Sequence, residues 1–280
     1  MAFGARAVKY RGEGRAFCAQ TDTMKNYFDV SGKVAFVTGA SKGLGKVFAD
    51  TLGDAGAKLF VLASTLKNIE PVCEEFRQKG YECECFGCDI TSEADMQLAV
   101  DKCIAAYGRI DILVNNAATM RVNKTPEDTT NEEWEKVIHI NVNGAFNVAK
   151  TVGKVMLKQG SGKIINMSSI SGKIINKGVH GGSYDVSKAA IDGMTKALAS
   201  EWAAKGINVN AISPGYFMTQ PNREFFAADP DFYDMAVSLI PAGKIGDPEQ
   251  LAGTLLYLAS GASDYLHGSI IQVDGGYMIW

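Results

Sequence analysis

No apolar run in this 280-residue chain approaches the ~18 residues that a membrane-spanning helix requires, which excludes a bilayer-embedded reading. Positive charge is not in excess either. The 28 Lys and Arg against 31 Asp and Glu leave a net charge of −3, offering little to the phosphates of nucleic acid or an anionic membrane. Metal-ligand spacing is also wanting. The cluster Cys83-x-Cys85-x-x-Cys88 has no second ligand pair and no neighbouring histidine, and it falls in the alternating strand pattern Tyr81 to Phe86. A structural zinc site takes four N or S ligands, so the expectation is no metal and buried or half-buried thiols. With no secretory signal, the six cysteines are expected to be reduced and the protein cytoplasmic. Residues 1–23 carry Arg6, Lys9, Arg11 and Arg15 among glycines but no apolar signal-peptide core, and Met24 is an alternative start. Residues 1–29 are accordingly expected to be a flexible extension.

What the chain does have is a hydrophobic content of 46%, ample for a sizeable core, and a regular alternation of short apolar runs with amphipathic stretches from Val34 onward. That alternation predicts an α/β fold: a doubly wound parallel sheet of about seven strands, helices on both faces, forming one domain over residues 30–280. Strands are expected at Val34–Thr38, Lys58–Ala63, Glu82–Phe86, Ile112–Asn115, Lys163–Met167, Asn208–Ile212 and Ile270–Val273. Helices are expected at about 44–55, 67–79, 92–107, 131–158, 184–204 and 248–259.

In such a sheet, ligands bind beyond the carboxyl ends of the strands. The first strand runs into Thr38-Gly39-Ala40-Ser41-Lys42-Gly43-Leu44-Gly45 and then a helix. Glycines permit a tight turn and let backbone N–H groups approach a pyrophosphate, and the helix start adds positive dipole. The second strand ends in Ser64, where an NAD-selective site usually has a carboxylate for the ribose hydroxyl. Ser64, Thr65 and Lys67, with Lys42 in the turn, suit a 2′-phosphate instead, so NADP(H) is favoured and NAD(H) is the alternative. Asp89 and Ile90 end the third strand and are placed to meet adenine, although Asp89 could equally help start the next helix. Asn115, Asn116 and Ala117 end the fourth; the two amides read as structural. The run His139-Ile140-Asn141-Val142-Asn143-Gly144 puts poor helix formers inside a helix and predicts a local bulge or a special contact. Tyr184 and Lys188 share a helix face at i and i+4, and a lysine beside a phenol favours the phenolate. Tyr184 is therefore a candidate proton donor or acceptor.

Taken together, the glycine turn, Asp89, Asn115-Asn116-Ala117, Asn141, Ser168-Ser169, Tyr184-x-x-x-Lys188, Pro214-Gly215 and Asp274-Gly275-Gly276 resemble the short-chain dehydrogenase/reductase family across residues 30–280. The resemblance implies nicotinamide-dependent hydride transfer at a carbonyl/alcohol pair. Tyr184 would be the acid/base, Lys188 would hold the nicotinamide ribose and lower the Tyr184 pKa, and Asn141 would anchor a proton-relay water. Pro214, Phe217 and Thr219 would meet the carboxamide and phosphates. A serine would bind the substrate oxygen. The usual family spacing falls on Ser171, but the strand-end motif Asn-Met-Ser-Ser favours Ser169, with two residues inserted behind it.

Substrate choice is expected in the irregular parts, including a small helical lid at about 216–246. Arg121 and His180, with Ser171, are the candidate substrate groups; a guanidinium can grip a carboxylate with two bonds. The openings Tyr27-Phe28-Asp29-Val30-Ser31-Gly32-Lys33 and Pro214-Gly215-Tyr216-Phe217 resemble gluconate 5-dehydrogenase-like sugar and polyol reductases. Alternatives are a 3-oxoacyl thioester (acyl-carrier-protein) reductase and a non-catalytic nucleotide-binding regulator. The family resemblance further implies a homotetramer built through the helices near 131–158 and 184–204 and through the apolar C-terminus.

Overall fold

The computed structural model describes residues 26–176 and 178–279; the expectations for residues 1–23 lie outside the described residues. Seven strands, β1 (Val34–Val37), β2 (Lys58–Ala63), β3 (Cys83–Gly87), β4 (Ile112–Asn115), β5 (Gly162–Met167), β6 (Ile207–Pro214) and β7 (Ile270–Val273), form one sheet. Their order is β3-β2-β1-β4-β5-β6-β7, and every neighbouring pair is parallel. The order reverses between β1 and β4, and it is there that a crevice opens beyond the strand ends.

Strand alternation divides the apolar residues between two cores. Ala35, Val37, Leu59, Val61, Ile112 and Val114 face one side, and Val34, Phe36, Phe60, Leu62 and Leu113 the other. Helices α1 (Gly43–Asp54) and α2 (Leu66–Gln78) cover the first face. Helix α3 (Glu93–Tyr107), α5 (Ala145–Gln159) and α6 (Ser183–Trp202) cover the second. A row of fully buried side chains, among them Phe48, Leu52 and Phe76 on one face and Met96 and Met156 on the other, seals the layers. At ~25 cal/mol per Å² of apolar surface, each such side chain contributes about 2 kcal/mol.

The helix expected over 131–158 is interrupted. Helix α4 (Asn131–Ile138) carries a capping box in which Thr130 accepts from the Glu133 N–H and Glu133 accepts from the Thr130 N–H. It runs into a π-helical segment, His139–Gly144, before α5 begins. The poor helix formers Asn141, Asn143 and Gly144 sit in this widened turn. Gly144 packs closely there: a Cβ would press to 2.8 Å from Ile90 Cδ1 and oblige that side chain to shift.

Residues 216–246 contain α7 (Gln220–Ala228) and α8 (Pro230–Ser238), each with proline in its first turn and an oxygen cap from Thr219 or Asp229. Their inner faces and the C-terminal segment make a third cluster, Ile170, Phe226, Ala236, Ile240, Ile245 and Tyr277. Tyr216 lies at its centre, edge-on to Phe226, Phe232 and Tyr277. The last helix, α9 (Ala252–Ala259), is preceded by one 3₁₀ turn at Pro248–Leu251.

Candidate active site

The glycine turn is locked by hydrogen bonds from β4. Thr38 Oγ1 accepts the backbone N–H groups of Asn116 and Ala117, both at 3.0 Å. The Asn116 amide donates to the carbonyls of Thr38 and Gly39 at 3.0 and 3.2 Å. Two glycines serve this packing. A Cβ on Gly39 would stand 2.9 Å from the Ala117 Cα, and one on Gly45 would overlap the Gly39 carbonyl oxygen and the Asn116 amide. Gly43 is different: its φ is +59° and nothing lies within 4 Å of its missing Cβ.

Beyond the turn lies a cavity of about 540 Å³. It is lined by Gly39, Ser41, Lys42, Gly43, Leu44, Ser64, Asp89, Ile90, Asn116, Ala117, Ser169, Tyr184, Lys188, Pro214 and Thr219. One end is the start of α1, whose N-cap residue Lys42 makes no side-chain cap and whose first turn has no carboxylate. Free helix N–H groups facing an open cradle suit a phosphate-bearing ligand. Lys42 and Ser64 are exposed at this end. Asp89 Oδ1 accepts from the Thr91 N–H and hydroxyl at 2.9 and 2.8 Å, which holds its carboxyl below the usual range and leaves Oδ2 unengaged by Thr91. Ser92, not Asp89, caps α3.

At the far end, the start of α6 brings Tyr184 and Lys188 against the end of β5. Lys188 Nζ donates to the Met167 carbonyl at 2.8 Å and lies 5.5 Å from the centre of the Tyr184 ring. Burial pushes the Lys188 ammonium down to about 8, opposed by Asp192. The expected effect of Lys188 on Tyr184 is not what the structure shows. Burial raises the Tyr184 phenol, and the influences opposing it are the Arg121 guanidinium first and the Ser169 hydrogen bond second. The two cations stand at similar distances from the Tyr184 ring centre, 4.9 Å for Arg121 Cζ and 5.5 Å for Lys188 Nζ, but Lys188 is engaged by a carbonyl and burial pushes it toward its neutral form.

Ser169 and Ser171 occupy different places. Ser169 lines the cavity, hydrogen-bonds Tyr184, and accepts the Ser171 N–H at 3.1 Å. The Ser171 hydroxyl is buried behind it, accepting from Asn176 Nδ2 at 2.7 Å and from Arg121 Nη2 at 3.4 Å. Asn141 is buried in the π segment, clamping the Thr119 N–H and C=O at 2.7 and 3.0 Å and donating to Ser187 Oγ at 3.1 Å. Phe217 does not line the cavity; it is buried, its ring beneath Gly246, while its carbonyl accepts from Asn222 Nδ2. His180 is exposed outside the cavity, its N–H bonded to Asn123 Oδ1.

Sequence reading passed over several groups that the fold brings in. Ile140, Met167 and Asn222 also line the cavity, and only their positions in the π-helical segment, at a strand end and in the 216–246 segment signalled them. Asp185, next to Tyr184, is a buried carboxylate, and no motif marked it.

The family model described as Enoyl-(Acyl carrier protein) reductase matches residues 39–278. The chain is 37% identical to 2-dehydro-3-deoxy-D-gluconate 5-dehydrogenase of Dickeya dadantii, over 90% of this chain and 98% of the relative. It is 35% identical to a 3-oxoacyl-[acyl-carrier-protein] reductase of Thermotoga maritima, over 89% of this chain and 99% of that one. Among solved structures, gluconate 5-dehydrogenase from Burkholderia cenocepacia, in complex with NADP and tartrate, superposes with a TM-score of 0.85 at 32% identity, covering 91% of this chain and 98% of that one. A strand-turn-helix nucleotide cradle and a tyrosine–lysine helix at the other end of one crevice agree with these likenesses: the chain belongs to the short-chain dehydrogenase/reductase family and is an oxidoreductase acting on CH–OH donors.

Proposed function

We propose that the protein is an NADP(H)-dependent reductase of a sugar acid, ketose or polyol. The observation that supports it most is the meeting of Tyr184, Ser169 and Lys188 at one end of a cavity whose other end holds Lys42 at the start of a helix with no carboxylate in its first turn. The residues present fit a phosphorylated dinucleotide. The α1 start with Ser41, Gly43, Leu44 and Gly45 would hold the pyrophosphate, and Lys42 with Ser64 the 2′-phosphate. Asp89 and Ile90 would take the adenine; Asn116, Ala117, Pro214, Phe217 (through its backbone) and Thr219 would hold the nicotinamide half. When bound, the nicotinamide supplies or accepts the hydride.

The chain supplies the proton and the position. Ser169 Oγ donates a hydrogen bond to the substrate oxygen, and the Tyr184 hydroxyl gives that oxygen its proton as the carbonyl is reduced. Burial keeps the phenol protonated in the resting site, and Arg121 and Ser169 hold the phenolate once it has formed. Lys188, buried and partly deprotonated near pH 8, is suited to return a proton through the Asn141 segment. Arg121 is the candidate partner for a substrate carboxylate, and residues 216–246 the lid. His180 and Ser171 stand farther from the reacting oxygen.

The Dickeya and Burkholderia relatives, by their names, act on sugar acids, and an arginine beside the tyrosine suits such an anion. The Thermotoga relative keeps a 3-oxoacyl thioester as the second reading. Steady-state rates on keto sugar acids, ketoses, polyols and 3-oxoacyl thioesters with NADPH and NADH decide between them; turnover of thioesters alone would overturn the first reading. Assembly as a homotetramer is supported by the half-exposed Trp134, Phe146 and Val186 on the helices flanking the site, and a monomer on size-exclusion chromatography would refute it.

A further inference from the structure

Folding splits the Cys83-x-Cys85-x-x-Cys88 run. Strand alternation turns Cys83 and Cys85 toward the face covered by α2 and Cys88 toward the other, where its Sγ lies 3.4 Å from Met96 Sδ. A thiol from outside the run joins Cys83 instead. Cys73, on α2, is fully buried with its Sγ 3.3 Å from the Cys83 Sγ. The same Cys73 Sγ lies 3.4 Å from the Cys83 carbonyl oxygen, and that oxygen accepts from Arg77 Nε at 2.8 Å. Two sulfurs and a guanidinium thus converge between α2 and β3, the edge strand of the sheet.

We propose that Cys73 and Cys83 are a modification site, a dithiol set to close into a disulfide that ties α2 to β3 when the protein meets a peroxide. The sulfurs stand 3.3 Å apart, and a disulfide needs them at about 2.0 Å. Cys83, 4% exposed against 0% for Cys73, is the sulfur that hydrogen peroxide reaches first. That sulfur attacks one peroxide oxygen, the O–O bond breaks, the thiol proton leaves in a water, and a sulfenic acid remains. The Cys73 sulfur then displaces the hydroxyl: the S–S bond forms, the S–O bond breaks, and the Cys73 proton leaves in a second water. The electron pair given up by the two sulfurs reduces one peroxide to two waters.

Contact with Cys83 and then burial push the Cys73 thiol up, and the Arg77 charge opposes that rise. The pair is therefore slow toward bulky thiol reagents, and a small neutral peroxide is the probe that suits it. Cys85, half-buried on the same face, is the competing thiol.

Closure reaches the cofactor cradle, a consequence that rests on the NADP(H) reading. The end of β3 packs hard on the start of α2: a Cβ on Gly87 would overlap the Leu66 nitrogen, and the Cys88 N–H donates to the Ala63 carbonyl at 2.8 Å. Ser64 lies just before this α2 start and Asp89 just after this strand end. Drawing α2 onto β3 therefore displaces the walls assigned to the 2′-phosphate and the adenine.

The test treats the reduced full chain with hydrogen peroxide, blocks the remaining thiols and maps the peptides by mass spectrometry without reductant. The expected product is a Cys73–Cys83 cross-linked peptide, lighter by two hydrogens than its reduced parts and reversed by dithiothreitol. It should be absent from Cys73→Ala and from Cys83→Val, and should one of these variants not fold, the other carries the control. The Kd for NADPH should rise about fivefold or more in the oxidised wild type and stay unchanged in the treated variants. Peroxide that leaves both thiols free, or that joins either to another cysteine, overturns the proposal, as does a cross-linked chain that binds NADPH as before. Reduced wild type that fails to bind NADPH refutes the functional reading instead, and the peptide map alone then decides the dithiol.

Discussion

Two glycines two positions apart in sequence, yet doing opposite jobs, give the sharpest quantitative expectation. Gly45 lies inside α1 against the Gly39 carbonyl and the Asn116 amide, both held by further bonds to Thr38 and β4. A methyl there has no flexible neighbour to displace, and overpacking a rigid site costs about 1–3 kcal/mol or more. In a chain of this size each kcal/mol shifts Tm by about 2–4 °C, so Gly45→Ala should melt about 2–12 °C early. Gly43, at φ +59° with open space around it, would cost an alanine about 1 kcal/mol of backbone strain and no packing. Its Cβ would instead stand in the cradle that is proposed for the pyrophosphate. Gly43→Ala should therefore melt within a few degrees of the wild type while losing at least about tenfold in NADPH affinity. Differential scanning fluorimetry and a nicotinamide fluorescence titration read the two effects separately. Gly45→Ala melting like the wild type, or Gly43→Ala binding NADPH unchanged, would refute the reasoning.

Further expectations follow from the same geometry. Ser169→Ala should lower kcat about a hundredfold, because it removes the hydroxyl beside Tyr184, whereas Ser171→Ala should keep kcat within about tenfold and act on KM through Arg121; steady-state kinetics on the two variants would reverse the assignment if the losses were exchanged. Ser64→Asp should turn cofactor preference from NADPH toward NADH by placing a carboxylate where the 2′-phosphate is proposed to sit, and an unchanged ratio of the two kcat/KM values would count against that placement. Lys188 offers a pH test. Its folded pKa of about 8 lies below the ~10.4 of an unfolded lysine, so between those values the unfolded chain binds the extra proton. This group's contribution destabilises the fold fully below pH 8, and that penalty fades as pH rises toward 10. The stability difference between wild type and Lys188→Met, followed by denaturant unfolding from pH 7 to 10, should therefore shift in favour of the wild type with rising pH.

The fold was legible because local chemistry dictates it. Short apolar runs such as Val34–Val37 and Ile112–Asn115 alternate cleanly with helical faces, and no competing period interrupts them. The glycine turn stood out because left-handed backbone, here at φ +65° and +59°, favours glycine. The π segment was foreshadowed by Asn141, Asn143 and Gly144, residues that a regular helix would not choose. What sequence could not supply was tertiary distance. That Arg121, sixty-three positions from Tyr184 in sequence, rather than Lys188, opposes the rise of the phenol follows from a loop path that no periodicity encodes. His180 looked like a site group because it is a polar residue in the irregular stretch before Tyr184, but its backbone is tied to Asn123 and it is not among the residues lining the cavity. Asp185 passed unnoticed because an Asp in the first turn of a helix is ordinary; only its burial makes it otherwise. Ile279, in the apolar C-terminal tail, is exposed at 71%, whereas Tyr277 two residues earlier is buried against Tyr216.

The most direct measurement is NADPH oxidation with a panel of keto sugar acids, ketoses and 3-oxoacyl thioesters, run on the wild type and on Tyr184→Phe with cofactor affinity measured alongside. The account predicts turnover of a keto sugar acid or ketose that falls at least about a hundredfold in Tyr184→Phe while NADPH still binds. Turnover that survives the loss of the Tyr184 hydroxyl, or that is confined to thioesters, would contradict it.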